Sequence, residues 1–347
     1  MARKLTGANG EELPRGHRDV PREPGGGLPQ DRRRPAGRTL AVLAALGLLA
    51  QAPPWAWAAS CYPLEYYGTY SIGRLAGPNK VSLESRLREL RDLAANAVIL
   101  GDDKQDLDLL PPGLQAIMGC GLMKKSDWQL RGSWNEARAR ARLAKLAARY
   151  GHDSRVVGIC LTHEVNEYAD HAHRRWMYQL AKEYFPRQLV LHYYSRLWDD
   201  VNPTGKKVYG YGLDGEVESD VLFVSLQAVR KGSFSLDQAG KLEQVLRYAA
   251  RTPDIPVWAQ TSVNADHRYV NGPASMIEIW GARGENLAVW ADKLFRTVYT
   301  DTRGRQLRLT GFFWRSLGRF PYDLGYPDFA AHRAQVRAIG EKICPDS

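Results

Sequence analysis

The stretch Val156-Val157-Gly158-Ile159-Cys160-Leu161-Thr162-His163-Glu164 decides the fold. Its first six residues form an apolar run rich in β-branched side chains, and its last three are polar. A run this short without apolar–polar alternation describes a strand buried on both faces, the kind found in parallel sheets. An amphipathic helix is expected to follow, from about Asp170 to Tyr184. Strand, polar turn and helix make one βα unit, so its recurrence along the chain sets the architecture.

The unit recurs along the whole chain after residue 60. The first strand covers Glu65 to Tyr70. Its helix starts at Ser82, a residue able to cap it, and carries Leu83, Leu87, Leu90 and Leu93 along one face. The second strand, Asn96 to Leu100, ends in Gly101-Asp102-Asp103. Pro111 to Met118 reads as a short helix and Gly121 to Lys124 as the third strand. A basic helix is expected over Asn135–Tyr150, with Arg138, Arg140, Arg142, Lys145 and Arg149 on a solvated outer face. Strand four is Val156 to Leu161, strand five Leu189 to Tyr194, and strand six Val221 to Leu226. Strand seven is Val257 to Gln260 and strand eight Leu307 to Trp314. Helices are expected over Leu236–Ala250, Asn286–Thr300 and Phe329–Lys342. Eight strands alternating with helices imply parallel pairing and a single (β/α)8 TIM barrel over residues 60–347. A doubly wound open sheet is the alternative. It is opposed by the lack of Gly-x-Gly-x-x-Gly after the first strand and of any phosphate-cradling loop.

Residues 1–38 form a basic leader rich in Gly, Pro and Arg, with too few apolar residues to offset chain entropy. Residues 39–59 have the form of a secretory signal peptide. The basic Arg32-Arg33-Arg34 precedes the apolar run Leu40–Ala50, and a small-residue end at Ala58-Ala59 is suited to cleavage. The run is too short for a comfortable transmembrane helix, which needs about 20 residues. The expected location is secreted or periplasmic, with lipid anchoring at Cys61 a weaker variant. An exported chain gives its four cysteines meaning. Cys61 and Cys344 lie near the two ends of the barrel domain and would staple termini that meet. Cys120 and Cys160 either pair or stay as buried thiols.

At 44% hydrophobic and 25% charged residues, the chain is not disordered, collagen-like or a coiled coil. Its net charge of +10 falls to a mild excess once the first 60 residues, with nine basic and five acidic side chains, are set aside. The remaining basic residues are scattered, so nucleic acid is not an expected partner. No Cys-x-x-Cys or His-x-Glu-x-x-His spacing points to a metal, and no cofactor is expected.

In a (β/α)8 barrel the working groups stand at the C-terminal strand ends. Those ends show Tyr66 and Tyr67, then Asp102 and Asp103, then Asp127 and Trp128, then His163 and Glu164. His192, Tyr193 and Tyr194 follow, then Gln227, Trp258, Gln260 and Trp314. Aromatic faces stack on sugar rings, and carboxylates and amides bind hydroxyls, so the set suits a carbohydrate. Here the chain resembles the barrel glycoside hydrolases, with a Glu closing strand four and a Trp closing strand eight. Gly158–Glu164 is similar to the fourth strand of chitinase-like glycosidases, in which Glu164 would match the proton donor. Cys160 and Thr162 stand where that family has aspartates. The large retaining clan of barrel glycosidases also ends strand four in its acid/base Glu, which Glu164 or Glu167 would match. That clan carries its nucleophile Glu at the end of strand seven, where this chain has Gln260.

What the resemblance implies is glycoside hydrolysis with Glu164 as general acid. Its pKa would be raised by burial among Trp258, Trp314 and Tyr194. Asp103 and Asp127 are candidates for the second carboxylate, with Glu65, Asp266 and Glu167 behind them. Tyr67, His163, His192, Tyr194, Gln227, Trp258, Gln260 and Trp314 are the expected substrate-binding set. Two other classes remain. One is a non-catalytic glycan-binding barrel, motivated by Gln260. The other is a metal-dependent deacetylase using His163, His192 and Asp103.

Overall fold

The computed structural model describes residues 61–70, 82–102, 104–130, 133–163, 169–194, 200–201, 207–208, 217–230, 233–252, 255–263, 273–315 and 329–344. The expected basic leader 1–38 and the expected signal segment 39–59 lie outside them, as do Asp103, Glu164, Glu167 and Asp266.

Eight strands close into a parallel barrel in chain order. They are β1 (Tyr66–Tyr70), β2 (Ala97–Leu100), β3 (Gln115–Gly119), β4 (Val156–Thr162), β5 (Leu189–Tyr194), β6 (Leu222–Ser225), β7 (Val257–Ser262) and β8 (Leu309–Arg315). Strand β8 returns to β1 with Phe312 opposite Tyr67 and Arg315 opposite Tyr70, which completes the ring. The described helices are α1 (Leu83–Asp92), α2 (Lys104–Asp108), α3 (Lys125–Trp128), α4 (Glu136–Tyr150), α5 (His171–Tyr184), α6 (Asp237–Ala249), α7 (Pro273–Trp280), α8 (Glu285–Phe295) and α9 (Ala330–Gly340). None of the described helices is long and apolar enough to cross a membrane.

The helices start where capping chemistry dictates. Ser82 accepts from the Ser85 amide at 3.1 Å, Asn135 from Arg138 at 3.0 Å and Asp170 from His173 at 2.9 Å. Helix α4 buries Ala139, Leu143, Leu146 and Tyr150 at helical spacing. Each buried leucine is worth about 2 kcal/mol relative to exposure. Its basic face is less free than expected. Arg140 pairs with Glu136 and Glu183, while Arg142 and Arg149 both reach Asp102.

The third strand differs from the sequence expectation. It is Gln115–Gly119, not Gly121–Lys124, so Pro111–Met118 is not a helix. Gly119 and Gly121 take φ of +91° and +111°, a backbone that ends a strand rather than continuing one. A Cβ on Gly119 would also lie 2.5 Å from the Cys160 carbonyl oxygen, so the β4 backbone approaches too closely here for any side chain.

Two apolar layers follow from strand parity. One side of the barrel wall faces the helices and carries Tyr67, Val98, Met118, Ile159, Tyr194 and Trp314. The other fills the barrel with Tyr66, Tyr70, Ile99, Cys160, Tyr193, Phe223, Trp258 and Phe313. Gly311 makes room for this filling, because a Cβ there would meet the Trp258 ring at 2.6 Å. Cys120 and Cys160 are disulfide-bonded and tie β3 to β4. At the other end of the domain, Tyr62–Pro63 pairs in parallel with Ile343–Cys344, and Cys61 is itself disulfide-bonded.

Candidate active site

The mouth is built from inward-facing residues at the C-terminal ends of the strands. Tyr70 ends β1, His163 follows β4, Tyr193 lies near the end of β5, and Gln260 and Ser262 close β7. Arg315 ends β8. Three near-parallel rings cluster here, Tyr70 lying 6.2 Å from His163 at 11°. His163 and Tyr193 lie 4.9 Å apart at 28°, and Tyr70 lies 5.9 Å from Tyr193 at 18°. The Arg315 guanidinium sits 5.8 Å from the Tyr70 ring centroid. Gln260 is fully buried. In the amide orientation that satisfies both ends, its nitrogen donates to the Tyr193 hydroxyl at 2.5 Å. Its oxygen then accepts from the Ser262 amide at 3.0 Å. Gln227 bridges β6 to β7, its oxygen accepting from the same Ser262 amide at 3.2 Å and its nitrogen donating to Ser225. The described mouth is therefore aromatic, amide- and hydroxyl-bearing, with one fixed cation.

His163, Gln227 and Gln260 from the expected binding set come together here. Five others do not. Tyr67 and Trp314 face the helix layer. The Trp314 indole donates to the Tyr67 hydroxyl at 2.9 Å, which in turn donates to the Val336 carbonyl at 2.9 Å. Burial pushes the Tyr67 phenol pKa up. Trp258 does face inward, but it lies at the floor against Tyr66, 4.9 Å between ring centroids. Both line a cleft of about 530 Å³ at the opposite end of the barrel, together with Glu65. That placement removes Glu65 as a partner for a group at the mouth. It also means that Trp258, Trp314 and Tyr194 do not wall the mouth, where Tyr70 and Tyr193 stand instead.

His192 and Tyr194 lie on the outer face of β5 in a buried polar cluster. His192 Nδ1 is 2.7 Å from the Thr162 hydroxyl, and Tyr194 donates to Glu218 at 3.3 Å. Glu218 is paired with Arg174 at 3.1 Å, both side chains being fully buried. Burial pushes the His192 pKa down to about 4, so the ring is neutral at pH 7. His163 and His192 thus occupy opposite faces of the barrel wall and cannot share a metal. Among the described residues, no group of three or more His, Cys, Asp or Glu could hold one.

The described carboxylates that sequence placed near the mouth are engaged elsewhere. Asp102 is held by Arg142 at 2.5 Å, Arg149 at 3.1 Å and the Tyr150 hydroxyl at 2.9 Å, all on α4. Asp127 lies on α3, where it accepts from the Lys124 amide at 2.8 Å and stands 4.0 Å from Arg142. The shift of β3 toward the N-terminus is the reason, since it leaves Asp127 beyond the strand end. Glu164 and Asp103 fall outside the described residues. Sequence reading missed Tyr70 and Arg315 and left Tyr193 out of the binding set. Once Gln260 is assigned inward, strand parity and register would have found all three.

Comparison with solved structures gives the fold a context. A GH5_18 glycoside hydrolase from Bifidobacterium longum subsp. infantis superposes with a TM-score of 0.52 at 13% identity, covering 82% of this chain and 81% of that one. The two share the (β/α)8 barrel fold. A GH5_18 protein from Streptomyces cattleya, solved in complex with Manβ1-4GlcNAc, matches with a TM-score of 0.50 at 13% identity, covering 79% and 80%. A GH2 β-galacturonidase from Eisenbergiella tayi, bound to galacturonate, matches at 0.53 and 12% identity, covering 82% of this chain and 52% of that one. No protein-family model and no curated protein sequence matches the chain.

Proposed function

We propose that this chain is an exported glycosidase-like protein that takes a poly- or oligosaccharide at the barrel mouth, with Glu164 as general acid. The observation that carries the reading is the stack of Tyr70, Tyr193 and His163 at the mouth, since Glu164 is the next residue in the chain. The partly exposed His163 ring offers a flat face to a pyranose and the partly exposed Gln227 and Ser262 offer hydrogen bonds to hydroxyls, with Tyr70, Tyr193 and Gln260 buried beneath them as support. The Cys120–Cys160 disulfide supports export, because such links persist in oxidising compartments.

In the hydrolytic scheme the Glu164 carboxyl gives its proton to the glycosidic oxygen as the bond to the anomeric carbon breaks. Water supplies the new oxygen at that carbon, and its proton goes to a second carboxylate. Gln260 cannot serve as a carboxylate nucleophile, which favours direct attack by water over a covalent intermediate. Asp103 is the remaining strand-end candidate for the base. A second reading, a glycan-binding barrel without hydrolysis, is favoured by the same Gln260 and by the engagement of Asp102 and Asp127 with α4.

The deciding experiment screens a glycan panel for both binding and reducing-end release. The hydrolase reading expects release by the wild type, with Glu164→Gln losing at least 1000-fold in rate while still binding. Binding without release by the wild type selects the second reading. Undiminished release by Glu164→Gln removes Glu164 from its role.

A further inference from the structure

Arg315 is the feature of the mouth that a neutral sugar does not explain. It ends β8, where parity sends Phe312 and Trp314 to the helix layer and Phe313 into the barrel. Arg315 therefore faces inward, and its guanidinium lies over the Tyr70 ring. Its register neighbours on β1 and β7 are Tyr70 and Ser262, both uncharged. The residue is half-buried. Among the described residues no carboxylate pairs with it. Other arginines packed against this barrel do have such partners, as Arg174 with Glu218 and Arg142 with Asp102 show.

A half-buried cation with no counter-charge among the described residues keeps part of its desolvation cost, and an anionic ligand group would offset it. A guanidinium presents a planar fork of donors that matches a carboxylate in two parallel hydrogen bonds. The Arg315 Cζ lies over the Tyr70 ring, 5.8 Å from the centroid. We infer that the saccharide taken at the mouth is acidic, a hexuronate-containing oligosaccharide whose carboxylate pairs with Arg315. The inference rests on the carbohydrate reading of the mouth and adds the chemical class of the sugar.

The test uses the full chain and isothermal titration calorimetry. The probes are trigalacturonate, its fully methyl-esterified form, a glucuronate oligomer, neutral cellotriose and a sulfated oligosaccharide. Esterification removes the charge and keeps the ring, so it isolates the contact. The wild type should bind at least one uronate oligomer tenfold or more tighter than the ester or the neutral trisaccharide. Arg315→Gln should lower uronate affinity tenfold or more and so erase that preference, and Arg315→Lys should keep part of it. Equal wild-type affinity for acid and ester overturns the inference without needing any variant to fold. A preference retained in a folded Arg315→Gln, or an Arg315-dependent preference for the sulfated probe over uronates, also overturns it. Binding of neutral sugars alone sinks this inference and leaves the carbohydrate reading standing. Failure of every saccharide to bind sinks both.

Discussion

Tyr193 faces the barrel interior and bonds Gln260, while His192 beside it faces the helices and bonds Thr162. One step along a strand exchanges a mouth group for a buried support. His192 makes that support sensitive to acid. Its folded pKa of about 4 lies below its ordinary value of 6.5, so between those values the unfolded chain holds more protons than the folded one. The stability it protects is full above about pH 6.5 and lost as pH falls toward 4, by about 3 kcal/mol at most. Melting temperatures from pH 7 to 4.5 should fall more steeply for the wild type than for His192→Asn. Equal slopes would remove His192 as the cause. The residue types at the mouth were legible in sequence, but their facing was not. Strands buried on both sides are apolar on both sides, so composition carries no parity signal.

Helix α5 is fastened to the barrel by Arg174 and Glu218, a fully buried pair that also carries the Tyr194 ring 5.4 Å from the guanidinium. Removing one member of such a pair leaves the other charge buried without its partner, at a cost of about 3–5 kcal/mol. Arg174→Met should therefore destabilise by that amount in urea denaturation. The double variant Arg174→Met, Glu218→Gln should recover part of the loss. A single-variant cost no larger than that of the double would refute the account. Elements with strong periodicity were legible in advance. The stripes of α1 and α4 and the cap Ser82 are written in local sequence, and Asn135 and Asp170, expected only as helix starts, turn out to cap theirs. Strand β3 was not, because Gln115–Gly119 is five residues with no alternation, and only its pairing with β2 and β4 makes it a strand.

The whole barrel is held by ring closure and by covalent links. Reduction of Cys120–Cys160, which spans a sequence separation of 40, should cost about 4 kcal/mol through the freed chain entropy of the unfolded state. Urea midpoints of the wild type and a Cys120→Ala, Cys160→Ala variant would measure it, and an unchanged midpoint would argue against a stabilising link. The pairing of Tyr62–Pro63 with Ile343–Cys344 brings the two ends of the described barrel segment together. A Cys61–Cys344 bond is expected there, and mass spectrometry of non-reduced peptides should recover the two segments joined. Linear peptides alone would exclude it.

Local order of apolar runs and helical stripes determined the (β/α)8 architecture, because each βα unit buries its faces only by packing beside the next. It also located Gln260 at the end of strand seven. Tertiary structure alone decided which strand-end residues meet. Register around a closed ring sends Tyr70, Tyr193, Gln260 and Arg315 inward and sends Tyr67, His192, Tyr194 and Trp314 to the helices. That choice depends on pairing between strands far apart in the chain, which no local pattern encodes.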